Sequence, residues 1–216
     1  FVQLLGGLMK DEKAGKAIVP IVPDESRTFG MDALFSKEGI YSSKGQRYEP
    51  VDKGSLLYYN EERKGAIIEE GISEAGSMAT FIAAGCNHIT QPFYTIPFFV
   101  YYSMFGFQRI GDFVWAASDA GARGFMIGGI SGRTSLSGEG LQHADGQSHL
   151  YAMAYPQLRA YDPAFAYEMA AIVKDGMQRM YREGEEIIVY ITVTNQAQQM
   201  PAMPGGIERD IVRGLY

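Results

Sequence analysis

The chain has 216 residues and a mass of 23.8 kDa, enough for one large domain with its own hydrophobic core. Hydrophobic residues make up 46% of the sequence and charged residues 20%, a balance that excludes disordered, collagen-like and coiled-coil proteins. The formal net charge is −6, and the 19 basic residues are scattered without forming a basic stripe. A nucleic-acid partner is therefore not expected.

The single cysteine, Cys86, cannot form an internal disulfide or, by itself, a thiolate metal site. This favours a reducing compartment, and we expect a cytoplasmic protein. No apolar run reaches the roughly 18 residues needed to cross a bilayer, so no membrane association is expected. The chain begins at Phe1 without a signal-peptide pattern, and we expect it to be part of a longer polypeptide.

Strand and helix patterns alternate along the chain, starting with a helical pattern in residues 1–18. The predicted strands cover residues 17–22, 65–69, 96–102, 124–128, 157–161 and 186–194. The predicted helices cover residues 72–84, 107–120 and 163–182, and residues 30–64 form an irregular excursion with one short helix. This alternation predicts an α/β fold, a three-layer sandwich with a mostly parallel sheet.

The chain is expected to divide into one domain, residues 1–195, and a tail, residues 196–216. The tail is predicted to be a loop or extended segment that leads to another domain, because it is rich in Met, Pro and Gly around residues 200–206.

Three carboxylates are predicted at the carboxyl ends of strands, where ligands bind in such folds. Asp24 and Glu25 follow the first strand, and Glu74 lies in the first turn of the helix after the second. Each also has a simpler explanation, since acidic residues cap helices and complement the helix dipole. Aromatic residues crowd residues 98–107; most belong in a core, but one or two could stack on a planar ring.

Two glycine-rich stretches match catalytic motifs only weakly. Residues 128–134 (GGISGRT) are one residue short of a phosphate-binding loop and have Arg133 in place of the lysine. Residues 71–75 (GISEA) resemble the elbow of serine hydrolases but end in alanine instead of glycine. We therefore interpret both as turns.

His143, Asp145 and His149 lie close together in one predicted loop. The favoured interpretation is a polar cluster that stabilises the loop, with a catalytic or substrate-binding histidine as the next alternative. A metal site is less favoured because the spacing matches no helical metal-binding face. His88 is expected to be structural.

Five stretches, in order, resemble one family. They are PDESRTFGMDALF (23–35), EEGISEAG (69–76), FYTIPFFVYYSMFGFQRIGD (93–112), GARGFMIGGISGRTSLSGEGLQHADGQSHL (121–150) and MPAMPGG (200–206). Together they are similar to the central region of the homodimeric pyruvate dehydrogenases, the thiamin-diphosphate-dependent first components of the bacterial pyruvate dehydrogenase complex. The resemblance implies a thiamin-diphosphate-binding fold and a transketolase-like domain that holds the aminopyrimidine ring of the cofactor.

The resemblance also implies roles for individual residues. Glu74 would bond the ring nitrogen N1′ and share a proton with it, which activates the cofactor. Phe105 would pack on the ring, while Tyr102 and His143 would face the substrate. The implied activity is oxidative decarboxylation of pyruvate, followed by acetyl transfer to a lipoyl carrier.

Other charged residues match the family at positions with less defined roles. Asp24 and Glu25 would be carboxylates of the same cleft and contribute to cofactor binding. Asp52 and Arg109 would belong to a charged network that links the two active sites of a dimer.

The family binds the cofactor diphosphate through Mg²⁺ and a Gly-Asp-Gly motif on another, N-terminal domain, and no stretch of this sequence matches that motif. We therefore expect no metal ligands in this chain, about half of an active site, and no activity of the chain alone. The implied partners are the rest of the polypeptide, a second copy, the lipoyl acetyltransferase component and pyruvate. A transketolase, another 2-oxo acid dehydrogenase and a non-catalytic assembly module remain as alternatives.

Overall fold

The computed structural model describes residues 1–23, 26–51, 59–129, 140–194 and 199–216. The strands are β1 (Ile18–Val22), β2 (Ile40–Tyr41), β3 (Glu61–Glu62), β4 (Ile68–Glu69), β5 (Ile96–Tyr102), β6 (Gly124–Gly129), β7 (Leu158–Tyr161) and β8 (Ile188–Thr192). The α-helices are α1 (Val2–Leu8), α2 (Asp32–Glu38), α3 (Glu74–Gly85), α4 (Asn87–Thr90), α5 (Ser103–Asp119), α6 (Ser148–Ala152), α7 (Ala166–Tyr181) and α8 (Glu208–Arg213). Short 3₁₀ turns lie at Gly15–Ala17 and Leu141–His143.

The main sheet has the strand order β4-β1-β5-β6-β8-β7, and every neighbouring pair is parallel. Its central strands are apolar along their length because helices cover both faces, as is typical of parallel sheets. One face carries Phe98 and Phe125, stacked at 4.5 Å, under α1 and α7. The other carries Phe99 and Tyr101 under α3 and α5. The predicted three-layer α/β sandwich is confirmed.

Strand β5 has the predicted bounds, but helix α5 begins at Ser103, four residues earlier than the predicted start at 107. Gly106 explains the early start. A Cβ at this position would lie 1.9 Å from the Tyr101 ring, so only glycine lets the first turn of α5 pack directly against the end of its own strand. The abrupt strand-to-helix junction brings the residues of that first turn to the carboxyl edge of the sheet.

Other segments also differ from the prediction. Strand β4 is limited to Ile68–Glu69, although residues 65–69 were expected to be extended. Residues 141–149, expected to be a loop, contain the 3₁₀ turn and the start of α6. The excursion of residues 30–64 carries the expected short helix, α2, and also the parallel pair of β2 and β3.

The tail is not a loop throughout, because it contains α8. Ile211 of this helix is 4% exposed and belongs to the core beneath α7. The Tyr161 hydroxyl donates to the Val212 carbonyl at 3.2 Å, and Lys174 pairs with Glu208 at 3.1 Å. One well-placed apolar residue and these polar contacts hold the helix, so the expectation of an extended tail is wrong for residues 208–213. The proposed domain boundary at residue 195 stays a prediction.

In the part of the chain that the structure describes, none of the helices combines the length and the apolar composition of a transmembrane span.

Candidate functional site

The carboxyl ends of neighbouring strands form one edge of the sheet, and the predicted site residues gather there. Along the sheet, β4 ends at Glu69, β1 at Val22, β5 at Tyr102 and β6 at Gly129. Asp24 and Glu25, which follow β1, and Asp52 lie outside the described residues. The remaining five predicted residues can be placed.

Glu74 opens α3 at this edge. The Ser73 side chain caps the helix by accepting a hydrogen bond from the Gly76 backbone N–H at 3.0 Å. Gly71, at φ +76°, allows the turn between β4 and the cap, which most other residues would adopt only with strain. These local features fix the Glu74 backbone, and its side chain is 16% exposed.

Arg109, on the second turn of α5, forms an ion pair with Glu74 Oε1. Its guanidinium carbon also lies 4.5 Å from the centroid of the Phe105 ring, a cation–π geometry. The Glu74 carboxylate therefore faces a cation that is itself seated on an aromatic face. Its surroundings are therefore charged and aromatic and not purely apolar.

His143 lies against two of the other predicted residues. Its ring centroid is 4.3 Å from that of Tyr102 and 5.2 Å from that of Phe105, the latter in an edge-to-face arrangement. His143 Nδ1 is buried and has no hydrogen-bond partner among the described residues. The imidazole is held by aromatic contacts and keeps a buried polar nitrogen that can serve a ligand.

Phe29 extends this aromatic group and is not among the residues that the sequence predicts. Its ring lies 4.9 Å from Tyr102, and a Cβ at Gly129 would come within 2.2 Å of it. Gly129 therefore leaves room for Phe29 beside the site. A lone phenylalanine in a loop carries no sequence signal for this position.

The loop after His143 is closed by Asp145, which is 6% exposed. Its Oδ1 accepts from the backbone N–H groups of Gln147 and Ser148 at 3.1 and 3.0 Å, and its Oδ2 accepts from the Ser148 hydroxyl at 2.5 Å. Burial alone would raise the pKa of Asp145, but these hydrogen bonds outweigh it and hold that pKa below its usual value. The predicted loop-stabilising role of the His143, Asp145 and His149 cluster is thus confirmed for Asp145.

Buried tyrosines lie behind the site. Tyr101 and Tyr190 are fully buried and their rings are 6.3 Å apart. Burial raises the pKa of Tyr101 well above its usual value, and it raises that of Tyr190 as well. Both hydroxyls stay neutral in the physiological range, and the two rings pack against the start of α5, Tyr101 at Gly106 and Tyr190 at Phe107.

His149 and His88 take different places. His149 Nε2 lies 3.0 Å from the Thr192 hydroxyl at the end of β8, so it is tied to the same sheet edge. His88 Nδ1 bonds the Gly85 carbonyl at 3.0 Å, as expected of a structural histidine. Among the described residues, no group of three His, Cys, Asp or Glu side chains could hold a metal ion.

Glu74, Arg109, Phe105, His143 and Tyr102 thus form one continuous chain of contacts. This arrangement offers a carboxylate acceptor, an aromatic face and an imidazole within a single cleft edge. Such a set suits a planar heteroaromatic ring that carries N–H donors.

Comparison with known proteins gives one family. The model of the family "Pyruvate dehydrogenase E1 component middle domain" matches residues 1–201. The chain is 55% identical to a pyruvate dehydrogenase E1 component of Pseudomonas aeruginosa and 51% identical to that of Escherichia coli, in both cases over 100% of this chain. It spans only 24% of the length of these relatives.

Solved structures show the same fold at low sequence identity. A transketolase variant from Pichia stipitis aligns with a TM-score of 0.68 and 16% identity, covering 99% of this chain and 28% of that one. A transketolase from Leishmania mexicana aligns with a TM-score of 0.63 and 14% identity, covering 86% of this chain and 23% of that one. At this identity the likeness concerns the fold.

Proposed function

The chain belongs to the pyruvate dehydrogenase E1 component middle-domain family, and we propose that it forms the aminopyrimidine-binding half of a thiamin-diphosphate site. The proposed enzyme decarboxylates pyruvate oxidatively and transfers the acetyl group to a lipoyl carrier. The observation that carries the proposal is the contact chain from Glu74 through Arg109 and Phe105 to His143 and Tyr102.

The residues of this chain fit the cofactor's ring by their chemistry. Glu74 supplies a partly buried carboxylate at the start of a helix, which can accept a hydrogen bond from a protonated ring nitrogen and hold that proton. Phe105 supplies a ring face beside it. The buried Nδ1 of His143 lacks a partner among the described residues, and a buried polar atom in that state favours a bound ligand or water.

Thiamin diphosphate, when bound, supplies the electron sink that a 2-oxo acid needs in order to lose carbon dioxide. The chain's own side chains then have binding and proton-handling roles. Glu74 would orient the ring and hold a proton at its nitrogen N1′. The ring centroids of His143 and Tyr102 are 4.3 Å apart. In the proposal both side chains face pyruvate and donate hydrogen bonds to its carboxylate and carbonyl oxygen.

Arg109 determines which oxygen of the Glu74 carboxylate remains available for the ring. Its guanidinium contacts Glu74 Oε1, so Oε2 is the oxygen that we assign to the ring nitrogen. Because the Arg109 side chain is 50% exposed, it can stay in place or turn towards a neighbouring subunit. The same proposal includes Arg109 and Asp52 as members of a charged network between two active sites. It also assigns Asp24 and Glu25 to the cleft.

In this proposal, other parts of the enzyme supply the second half of the active site. Mg²⁺ and the diphosphate are bound by a different domain, the second copy completes a homodimer, and a lipoyl acetyltransferase receives the acetyl group. The enzyme is assigned to the cytoplasm. The chain alone would not turn over pyruvate.

A segment exchange tests this function. The matching segment of the Pseudomonas aeruginosa relative, which is 55% identical over this whole chain, is replaced by these 216 residues. Pyruvate-dependent reduction of an artificial electron acceptor is then measured with thiamin diphosphate and Mg²⁺. The variants are Glu74→Gln and, as a matched control, Glu70→Gln, which changes an exposed glutamate bonded to Thr80.

The proposal predicts activity for the exchange enzyme and for Glu70→Gln, and a loss of at least about a hundred-fold in kcat for Glu74→Gln. Activity with sugar phosphates and not with pyruvate would favour a transketolase instead. A folded, cofactor-binding exchange enzyme without any turnover would favour an assembly module. Full activity of Glu74→Gln would refute the role of Glu74.

A further inference from the structure

His149, Thr192 and Asp162 form a hydrogen-bonded row along the carboxyl edge of the sheet. His149 Nε2 lies 3.0 Å from Thr192 Oγ1, and Thr192 Oγ1 lies 2.5 Å from Asp162 Oδ1. The three residues come from α6, the end of β8 and the segment after β7. Thr192 is 1% exposed, so the middle of the row is sealed from water.

The direction of the protons follows from the donor count. A hydroxyl has one hydrogen, and Thr192 gives it to the Asp162 carboxylate at 2.5 Å in preference to the Tyr161 carbonyl at 3.4 Å. Its oxygen can therefore only accept from His149, which requires the proton of the neutral imidazole to be on Nε2. The row thus runs as a donor chain from histidine to threonine to aspartate, and it fixes the tautomer and orientation of His149.

The segment between His149 and His143 is short and internally bonded. Asp145 closes the turn at residues 147 and 148 through two backbone N–H groups and one hydroxyl. The Gln147 amide also reaches the Met104 sulfur, at 2.7 Å, on the first turn of α5. A displacement of His149 would therefore be transmitted to His143 through a stiff turn.

Among the described residues, the His143 side chain has ring contacts with Tyr102 and Phe105, and its Nδ1 has no hydrogen-bond partner. Ring contacts tolerate sliding more than hydrogen bonds do, because they lack a fixed donor and acceptor. The precision of the imidazole position must come from its backbone.

We propose that His149 is a positioning residue, which the Thr192–Asp162 pair anchors to the sheet and which sets the position of the His143 imidazole. The inference rests on the proposed function for its consequence in catalysis. It deepens that function, since His149 acts only through His143 and touches neither cofactor nor substrate.

Thr192→Val tests the anchor because it removes the hydroxyl and keeps the shape. Thr192→Ser restores the hydroxyl. Thr194→Val is the matched control, the same change at an exposed threonine two residues further along the chain. All three are made in the segment-exchange enzyme and in the 216-residue chain labelled with ¹⁵N-histidine, whose three histidines give a simple NMR spectrum.

In the exchange enzyme we expect Thr192→Val to lower kcat about ten- to a hundred-fold, with Thr192→Ser and Thr194→Val staying within about two-fold. In the labelled chain, Thr192→Val should shift the His143 ring resonances and abolish the Nε2–H tautomer preference of His149, while Thr192→Ser should restore both. If Thr192→Val does not fold, two variants of His149 give the same comparison between a broken and a restored hydrogen bond. His149→Leu has no donor, whereas the amide of His149→Gln can replace the Nε2 donor.

Two results would overturn the inference. Either the His143 resonances stay unchanged when the anchor is removed, or Thr192→Ser behaves like Thr192→Val. An inactive exchange enzyme with the unsubstituted sequence would instead refute the proposed function. The NMR comparison would then still decide whether Thr192 and His149 position His143.

Discussion

Arg109 and Glu74 are 35 residues apart in the sequence, yet they form an ion pair that joins the first turn of α3 to the second turn of α5. The guanidinium also covers the Phe105 ring. One cation thus links the proposed proton-exchanging carboxylate to the proposed ring platform. The ion pair therefore connects the two helices that carry these site residues.

Arg109→Met should destabilise the chain only modestly. The Arg109 side chain is 50% exposed, so solvent screens the ion pair, and the pair with its cation–π contact contributes about 1–2 kcal/mol at most. Arg109→Lys should recover part of the loss, because it keeps the charge but not the planar guanidinium. Urea unfolding of the three chains measures this; a loss above about 3 kcal/mol would contradict the exposed character of the pair.

Ser73→Ala should weaken the start of α3. The cap bond from the Gly76 N–H to the serine hydroxyl would be lost, which costs about 1 kcal/mol of unfolding free energy. Ser73→Asn should preserve most of it. The matched control is Ser36→Ala in α2, where an exposed serine inside a helix becomes a better helix former. Equal effects of the two alanine substitutions in thermal or urea unfolding would rule out the cap.

Gly106→Ala should be severely destabilising. The new Cβ would stand 1.9 Å from a Tyr101 ring that is fully buried, so the ring or the start of α5 must move, at a cost of about 1–3 kcal/mol or more. Gly7→Ala is the control, since a Cβ added at that helical glycine would meet open space, and alanine should stabilise α1 by up to about 1 kcal/mol. A tolerated alanine at residue 106 would show that the α5 start does not depend on this contact.

Asp145 should make stability depend on acid pH. Its pKa in the folded chain lies below the ordinary value of 3.8, so its stabilising contribution is fully present above that value. The contribution is lost as the pH falls through the lower, folded-state pKa. Asp145→Asn should therefore be less stable than the parent chain at neutral pH, and the difference should shrink as the pH is lowered below about 4. A difference in unfolding free energy that stays constant down to the lowest pH at which the chain folds would contradict this. The reference is Asp119→Asn, the same change at an exposed position.

The sequence predicts the sheet well and the ends of elements less well. The buried apolar run of residues 96–102 predicts β5 at its observed bounds, because a strand covered on both faces has an unambiguous composition. The start of α5 was misplaced because residues 103–106 continue the aromatic pattern, and only the packing of Gly106 on Tyr101 shows why a helix can begin there. Helix α8 was missed because its single buried residue, Ile211, gives no periodic signal.

The sequence likewise predicts some features of the candidate site and not others. The position of Glu74 at a helix start follows from the strand-helix pattern, whereas its contact with Arg109 depends on how α3 and α5 pack. The sequence predicts Asp145 and His149 as polar loop residues, but the link from His149 to Thr192 joins positions 43 residues apart. Local patterns can predict which residues are available. Tertiary packing decides which of them meet.

The most direct test of the proposed cofactor site is a crystal structure of the segment-exchange enzyme with thiamin diphosphate and Mg²⁺ bound. In that structure we expect a Glu74 carboxylate oxygen at hydrogen-bond distance, about 2.6–3.2 Å, from the ring nitrogen N1′. We also expect the Phe105 ring to pack on the aminopyrimidine and His143 to face the reactive side of the cofactor. An aminopyrimidine ring bound away from Glu74, or a Glu74 that stays paired with Arg109 alone, would contradict the proposed site.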